Sequence, residues 1–310
     1  MNRRDLIRHT GAGLAALSSP HLITAQPAPL TKRRALRIAH LTDVHVQPIV
    51  GAAEGFARCL HHVQNLPEKP DLILNGGDAI MEAHGRSSDS VKRQWKSYND
   101  VMQAENNLPI LNCIGNHDIW CKAETHDAFA GGKQWAMDEL QLPKRYYSLD
   151  KNGWHIIVLD SVQPKTDGSW YTAHVDEEQY NWLETDLKNT PAQTPVLIIS
   201  HVPILAACVF FDGKRFAGDN WSVPARWMHS DTVRLTNLFY RYPNVKVALS
   251  GHIHLTDRVD YNGVTYFCNG AVSGAWWFGK YHHTPAGYAI VDLFDDGTVE
   301  NRYAAYNEPV

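Results

Sequence analysis

Leu36-Arg37-Ile38-Ala39-His40-Leu41-Thr42-Asp43-Val44-His45 is an apolar run that ends in a carboxylate and an imidazole two residues apart. Short runs of this kind read as buried strands. The same pattern returns four times. Leu72-Ile73-Leu74 precedes Gly77-Asp78, Pro109 to Ile114 precedes Gly115-Asn116-His117-Asp118, Val196 to Ile199 precedes Ser200-His201, and Val245 to Leu249 precedes Gly251-His252-Ile253-His254. Between them, Glu54 to Leu66, Ser88 to Asn106, Asp176 to Lys188 and Asp231 to Tyr240 are long enough for helices. Alternating strands and helices indicate an open α/β architecture, in which ligands bind just beyond the carboxyl ends of the strands. Five polar clusters spread over two hundred residues therefore converge on one edge.

The donors in those clusters are carboxylates, imidazoles and a primary amide, which suit Mn, Fe or Zn better than a thiolate-seeking metal. Taken singly, each motif has an ordinary reading. Asp43 could cap a turn, Gly76-Gly77-Asp78 could be a tight turn, Asn116-His117-Asp118 could cap a helix, and His201 could be a satisfied core histidine. Those readings fail only because they must hold independently for every member of an ordered set.

The ordered set resembles that of the calcineurin-like metallophosphoesterases, and the resemblance covers the chain after its first segment. It implies an α/β fold, the αββα four-layer sandwich with two mixed β-sheets. Carried over position by position, it puts Asp43, His45 and His254 on one metal ion and Asn116, His201 and His252 on a second, with Asp78 bridging. A hydroxide shared by the two ions would attack phosphorus in line. The resemblance also makes His117 the general acid that faces the leaving-group oxygen, with Asp118 as its orienting partner.

Departures from relatives narrow the class. Purple acid phosphatases carry a tyrosine three residues after the bridging aspartate, where this chain has Met81. The Gly-Asp-x-x-Asp-Arg pattern of serine/threonine protein phosphatases is missing, since Ala79-Ile80-Met81-Glu82 follows Asp78. Without those arginine clamps the resemblance is closest to bacterial phosphodiesterases, including cyclic-nucleotide and glycerophosphodiester hydrolases. The substrate expected is a small-molecule phosphodiester. The alternatives are a phosphomonoesterase, with a clamp from Arg86, Arg215 or Arg226, and an inactive metal-containing binding protein. Retention of Asp78, Asn116 and His117 speaks against the inactive relative.

The chain opens with Asn2-Arg3-Arg4-Asp5-Leu6-Ile7, then a Gly/Ala-rich apolar stretch from Thr10 to Leu22. This pattern indicates a twin-arginine export signal over 1–25, and hence a periplasmic or otherwise exported protein that uses the twin-arginine machinery. The stretch is too short and weak to span a bilayer. A linker over 26–34 would follow, then one phosphoesterase domain over 35–310. Removing the signal takes away three arginines and one aspartate, so the formal charge moves from −4 to −6. With no Lys/Arg stripe, that balance excludes a nucleic-acid-coating surface. Five widely spaced cysteines read as buried thiols, although Cys113 and Cys121 could close locally after export.

Two aromatic segments follow metal motifs. Phe210, Phe211, Phe216, Trp221 and Trp227 lie between Ile204 and His229; Trp276, Trp277 and Phe278 precede His282 and His283. Placed beside a metal centre they could wall or cover a substrate, or simply pack on each other. His84 is a weaker candidate for the substrate mouth. Hairpins are expected near Tyr146 to Asp160 and Arg258 to Cys268, and a last one from Gly287 to Tyr303 is expected to complete the second sheet.

Overall fold

The structure, a computed structural model, describes residues 32–49, 51–122, 126–167 and 170–306. The expected signal over 1–25 and most of the linker over 26–34 lie outside the described residues.

Two mixed sheets form the centre. Across the first, the strands run Val299–Ala305, Gly287–Phe294, Arg34–Leu41, Leu72–Asn75 and Ile110–Asn112. Across the second they run Asp257–Tyr261, Val264–Cys268, Val245–Ser250, Val196–Ile199, Trp154–Val158 and Tyr147–Lys151. The period-2 alternation of strand side chains decides what each face touches. Leu36, Ile38, Leu72 and Leu74 meet Trp154, Ile156, Leu197, Ile199, Val247 and Leu249 between the sheets. The opposite faces bury Ala39, Leu41 and Ile73 under helices Ala52–Gln64 and Ser88–Glu105, through Phe56, Leu60 and Trp95. On the far side, Ile157, Val196 and Ile198 pack under helices Glu177–Asn189 and Thr232–Arg241, through Leu183, Leu187, Leu238 and Phe239. The result is the expected four-layer αββα sandwich.

Local chemistry sets the element ends. Ser87 Oγ accepts from Ser90 N and Asp176 Oδ1 from Gln179 N, capping two of the helices. Asn152-Gly153 and Asn262-Gly263, all with φ between 50° and 84°, close two of the expected hairpins. The last hairpin also forms, but its sheet differs from expectation. Gly287–Phe294 pairs antiparallel with Arg34–Leu41 and so belongs to the first sheet. All eight of its residues are buried, as befits a strand with neighbours on both sides. Helix His126–Glu139 was not expected from the sequence. No disulfide joins Cys113 to Cys121, and all five cysteines are buried thiols.

Candidate metal centre

All five motifs lie where their strands end, on the same side of the sandwich. The chain turns sharply there. Asp43, His45, Asp78, His252 and His254 all have φ between 52° and 71°, a left-handed conformation that non-glycine residues seldom adopt. Such strain persists where the surroundings over-determine it, and it clusters at functional sites. Two glycines make room: a Cβ on Gly115 would lie 2.1 Å from Asp78 Oδ1, and one on Gly251 would lie 2.3 Å from Asp43 Oδ2.

The side chains gather into two groups, Asp43 with His45 and His254, and Asp78 with His201 and His252. In the first, His254 Nε2 lies 3.1 Å from His45 Nε2 and 3.3 Å from Asp43 Oδ1. In the second, His201 Nε2 lies 3.2 Å from His252 Nδ1, 3.2 Å from Asn116 Oδ1 and 3.1 Å from Asp78 Oδ2. Asp78 Oδ2 is also 3.8 Å from His45 Nε2, so one carboxylate oxygen faces both groups.

The surrounding hydrogen bonds aim these donors. His254 Nδ1 and His201 Nδ1 each donate to a carbonyl, of Gly274 at 2.7 Å and Gly76 at 2.8 Å, which turns Nε2 toward the centre. Asp43 Oδ2 accepts from the Thr42 hydroxyl and from His252 N. Its other oxygen, Oδ1, is buried without a hydrogen-bond partner. A buried carboxylate oxygen left bare beside two imidazole nitrogens is costly unless a cation completes it. The donor set of imidazole, carboxylate and amide fits a pair of divalent ions.

The electrostatics agree. Burial lowers the pKa of His45 and His252 to about 3, so both rings are neutral and ready to donate lone pairs. Burial works against Asp43 and Asp78 too, yet His254 and His201 respectively hold them below the usual carboxylate range. Burial also opposes protonation of His201, but Asp78 raises it to about 9 in the metal-free chain. Cation binding would release that proton.

The family model for calcineurin-like phosphoesterases matches residues 36–255, well over half of the chain. The chain belongs to the calcineurin-like phosphoesterase family. It is 25% identical over 287 residues to a 3',5'-cyclic-nucleotide phosphodiesterase of Nostoc sp., covering 87% of this chain and 92% of that one. It is 24% identical to the 3',5'-cyclic adenosine monophosphate phosphodiesterase CpdA of Escherichia coli, covering 76% and 75%. Among solved structures, a dimetal phosphatase from Danio rerio shares the fold with a TM-score of 0.59 at 14% identity, over 88% of this chain and 100% of that one. The phosphoesterase is thus a hydrolase of a family that works with two metal ions, and the two ligand groups match that requirement.

A cavity of about 270 Å³ opens beside the centre of this phosphoesterase, walled by Trp170, Tyr171, Trp227, Trp276 and Tyr281 together with Glu82, Asp212 and Arg226. His117 lines it too. The His117 backbone N donates to Asp78 Oδ1 at 2.8 Å, and its ring stands edge-on to His45 with centroids 4.8 Å apart. Its Nδ1 lies 3.3 Å from Glu82 Oε2. Burial opposes a charge on this ring, but Asp78 and Glu82 raise its pKa to about 10.

Asp118 has other work than the one expected of it. Its carboxylate accepts from the backbone N–H groups of Asp78, Ala79, Ile80 and Gly115, tying the two ligand loops together. The carboxylate at the His117 ring is Glu82, which the sequence reading missed. Adjacent residues in a tight turn point apart, so sequence proximity to His117 was a poor guide. Glu82 is itself fixed by Gln94, which accepts from Glu82 N and donates to Glu82 O.

The aromatic segments divide. Trp227, Trp276 and Tyr281 wall the cavity. Trp277 acts behind the ligands: its Nε1 donates to His45 O, and its ring fills the space that the missing Gly55 side chain leaves. Trp170 and Tyr171, also missed, come from a short two-stranded excursion. His84 stacks on Trp170 at 4.1 Å, behind the wall. Of the three clamp candidates only Arg226 lines the cavity; Arg215 stacks on Trp227 at 3.5 Å.

Proposed function

We propose that this chain hydrolyses phosphodiesters at a two-cation centre with Asp43, His45 and His254 on one ion, Asn116, His201 and His252 on the other, and Asp78 between them. The observation that carries the proposal is the position of Asp78 Oδ2, 3.1 Å from a ring nitrogen of one group and 3.8 Å from one of the other. When bound, two such cations lower the pKa of a water nucleophile and neutralise charge on the phosphoryl oxygens. The ions proposed are Mn, Fe or Zn, on the softness of the donors.

The protein's own groups supply the rest. His117, held through its backbone by Asp78 and facing Glu82, presents the opposite side of its ring to the cavity and gives a proton to the departing alkoxide. The aromatic walls take the organic arm of the ester and keep water from it. The diester preference is supported by the named activities of the Nostoc and Escherichia coli relatives and of a probable glycerophosphodiester phosphodiesterase of Arcobacter nitrofigilis. A lone cavity arginine also fits a singly charged ester better than a dianion. Export by the twin-arginine route remains our proposal from the sequence of residues 1–25. No helix among the described residues is long and apolar enough to cross a membrane.

The test is turnover of bis-p-nitrophenyl phosphate beside p-nitrophenyl phosphate by protein loaded in turn with Mn, Fe or Zn. Faster diester hydrolysis that disappears in Asp78→Asn is the expected result. Monoester preference that collapses in Arg226→Ala would instead establish a phosphatase with Arg226 as its clamp.

A further inference from the structure

Half of the exposed large hydrophobic side chains among the described residues sit on two loops beside the cavity. Phe211, Phe216 and Trp221 are 71%, 56% and 60% exposed, and Phe278 is 82% exposed. The others, Ile49, Val233, Tyr240 and Tyr261, belong to a different loop, a helix and an edge strand. The same two loops supply Trp227, Trp276 and Tyr281 to the cavity wall.

Two of the exposed rings, Phe216 and Trp221, rest on structure beneath them, and the two loops are joined. Tyr281 Oη donates to Asp212 Oδ1 at 2.6 Å, joining one loop to the other. Phe210 packs on the buried cluster of Val209, Ile253 and Leu255. Trp221 stands edge-on to Phe210 at 5.5 Å, with Phe216 against it at 5.4 Å. The chain turns at Gly213, Gly218 and Gly279, each with positive φ.

The chemistry of the patch identifies its partner. All four side chains are aromatic and none is aliphatic, and exposed Lys214 and Lys280 stand on the same two loops. Lysine is depleted from protein–protein interfaces. Aromatic rings with interspersed lysines suit the boundary of a phospholipid bilayer, where rings settle at headgroup level and ammonium groups meet anionic lipid. Of the nearby acids, Asp212 is already engaged by Tyr281, leaving Asp219 exposed. The whole chain carries a formal charge of −4, whereas these two loops, 210–221 and 276–283, hold Lys214, Arg215 and Lys280 against Asp212 and Asp219, a slight positive excess that favours this face for an anionic surface.

We propose that these two loops dock the protein on an anionic phospholipid bilayer, with Phe211, Phe216, Trp221 and Phe278 at the headgroup layer and Lys214 and Lys280 against its charge. The docking stands whichever phosphoester is hydrolysed.

Co-sedimentation of the full chain with vesicles tests it, using phosphatidylcholine alone and phosphatidylcholine with about a third phosphatidylglycerol. Strong binding to the anionic vesicles is expected. It should fall at least ~10-fold in Trp221→Ser/Phe278→Ser and in Lys214→Glu/Lys280→Glu, with thermal midpoints unchanged. Because every variant carries the same N-terminal segment, the differences report on the loops. Absence of vesicle binding by the parent chain, or equal binding by the variants, overturns the proposal. So does concentration-dependent self-association that Trp221→Ser/Phe278→Ser abolishes without any vesicle binding, which would make the patch a protein interface.

Discussion

The fold brings Asp78 and Glu82 to His117 beside its chain neighbour Asp118, and the structure gives each carboxylate a separate task. Asp78 faces both ligand groups, Asp118 binds four backbone N–H groups, and Glu82 meets the imidazole. The tasks predict different failures. His117→Ala should keep its metal and lose ~10²- to 10⁴-fold in turnover, most for esters of poor leaving alcohols. Glu82→Gln should lose ~10- to 100-fold in kcat at an unchanged urea midpoint, because it releases the ring without opening the core. Asp118→Ala strands buried backbone donors worth about 1–3 kcal/mol each, so it should appear first as lost stability. Steady-state kinetics beside urea melts separates the three, and an unstable Glu82→Gln or a stable, inactive Asp118→Ala would reverse the assignments. The side chains that gather into the two candidate ligand groups were legible in the sequence because each motif joins polar residues to the end of an apolar run. Glu82 was not legible, because its place depends on Gln94, contributed by a helix twelve residues on.

Elements were readable where side-chain period and end signals agreed, as in the four expected helices and the Asn-Gly hairpins. Helix His126–Glu139 hides itself with Gly131-Gly132, residues that weaken a helix by about 1 kcal/mol each. Gly132 is there because a Cβ would collide with the Trp120 carbonyl. That is a packing reason no local pattern announces. The sheet of Gly287–Phe294 was misassigned for a related cause: strand pairing is tertiary, and a continuous apolar run fits the centre of either sheet. At this scale the contact of hairpin Tyr147–Val158 with helix Glu177–Asn189 makes its own prediction. His155 bridges them, Nδ1 at 2.7 Å from Asp150 and Nε2 at 2.8 Å from Asp186. Burial opposes its charge, but the two aspartates raise its pKa above the ordinary value. A raised folded pKa stabilises fully below the unfolded value of about 6.5, and the gain is lost as pH climbs through the folded value. The urea midpoint of His155→Gln should therefore fall furthest below the parent at about pH 5.5 and approach it near pH 9. A gap that widens with pH would contradict this.

For the whole molecule, the proposed cation site would be a folding constraint as much as a reactive one. Its ligands come from both sheets, from Asp43 and Asp78 in the first and from His201, His252 and His254 in the second. Five of the seven expected ligands sit in strained left-handed backbone, and Asp43 keeps a bare buried oxygen. Each is a cost to the metal-free fold of order 1–3 kcal/mol that a bound ion offsets. Ions that bind only the folded chain stabilise it by about 2.7 kcal/mol at a hundredfold excess over Kd. Chelator-treated protein should therefore melt lower than metal-loaded protein by several degrees, and the gap should close as metal is titrated back. Asp78→Asn, which weakens the carboxylate shared by both groups, should melt close to the chelated parent and respond little to metal. A full metal-dependent shift in Asp78→Asn would mean that the two ion sites load independently, and that Asp78 serves the reaction without holding the centre together.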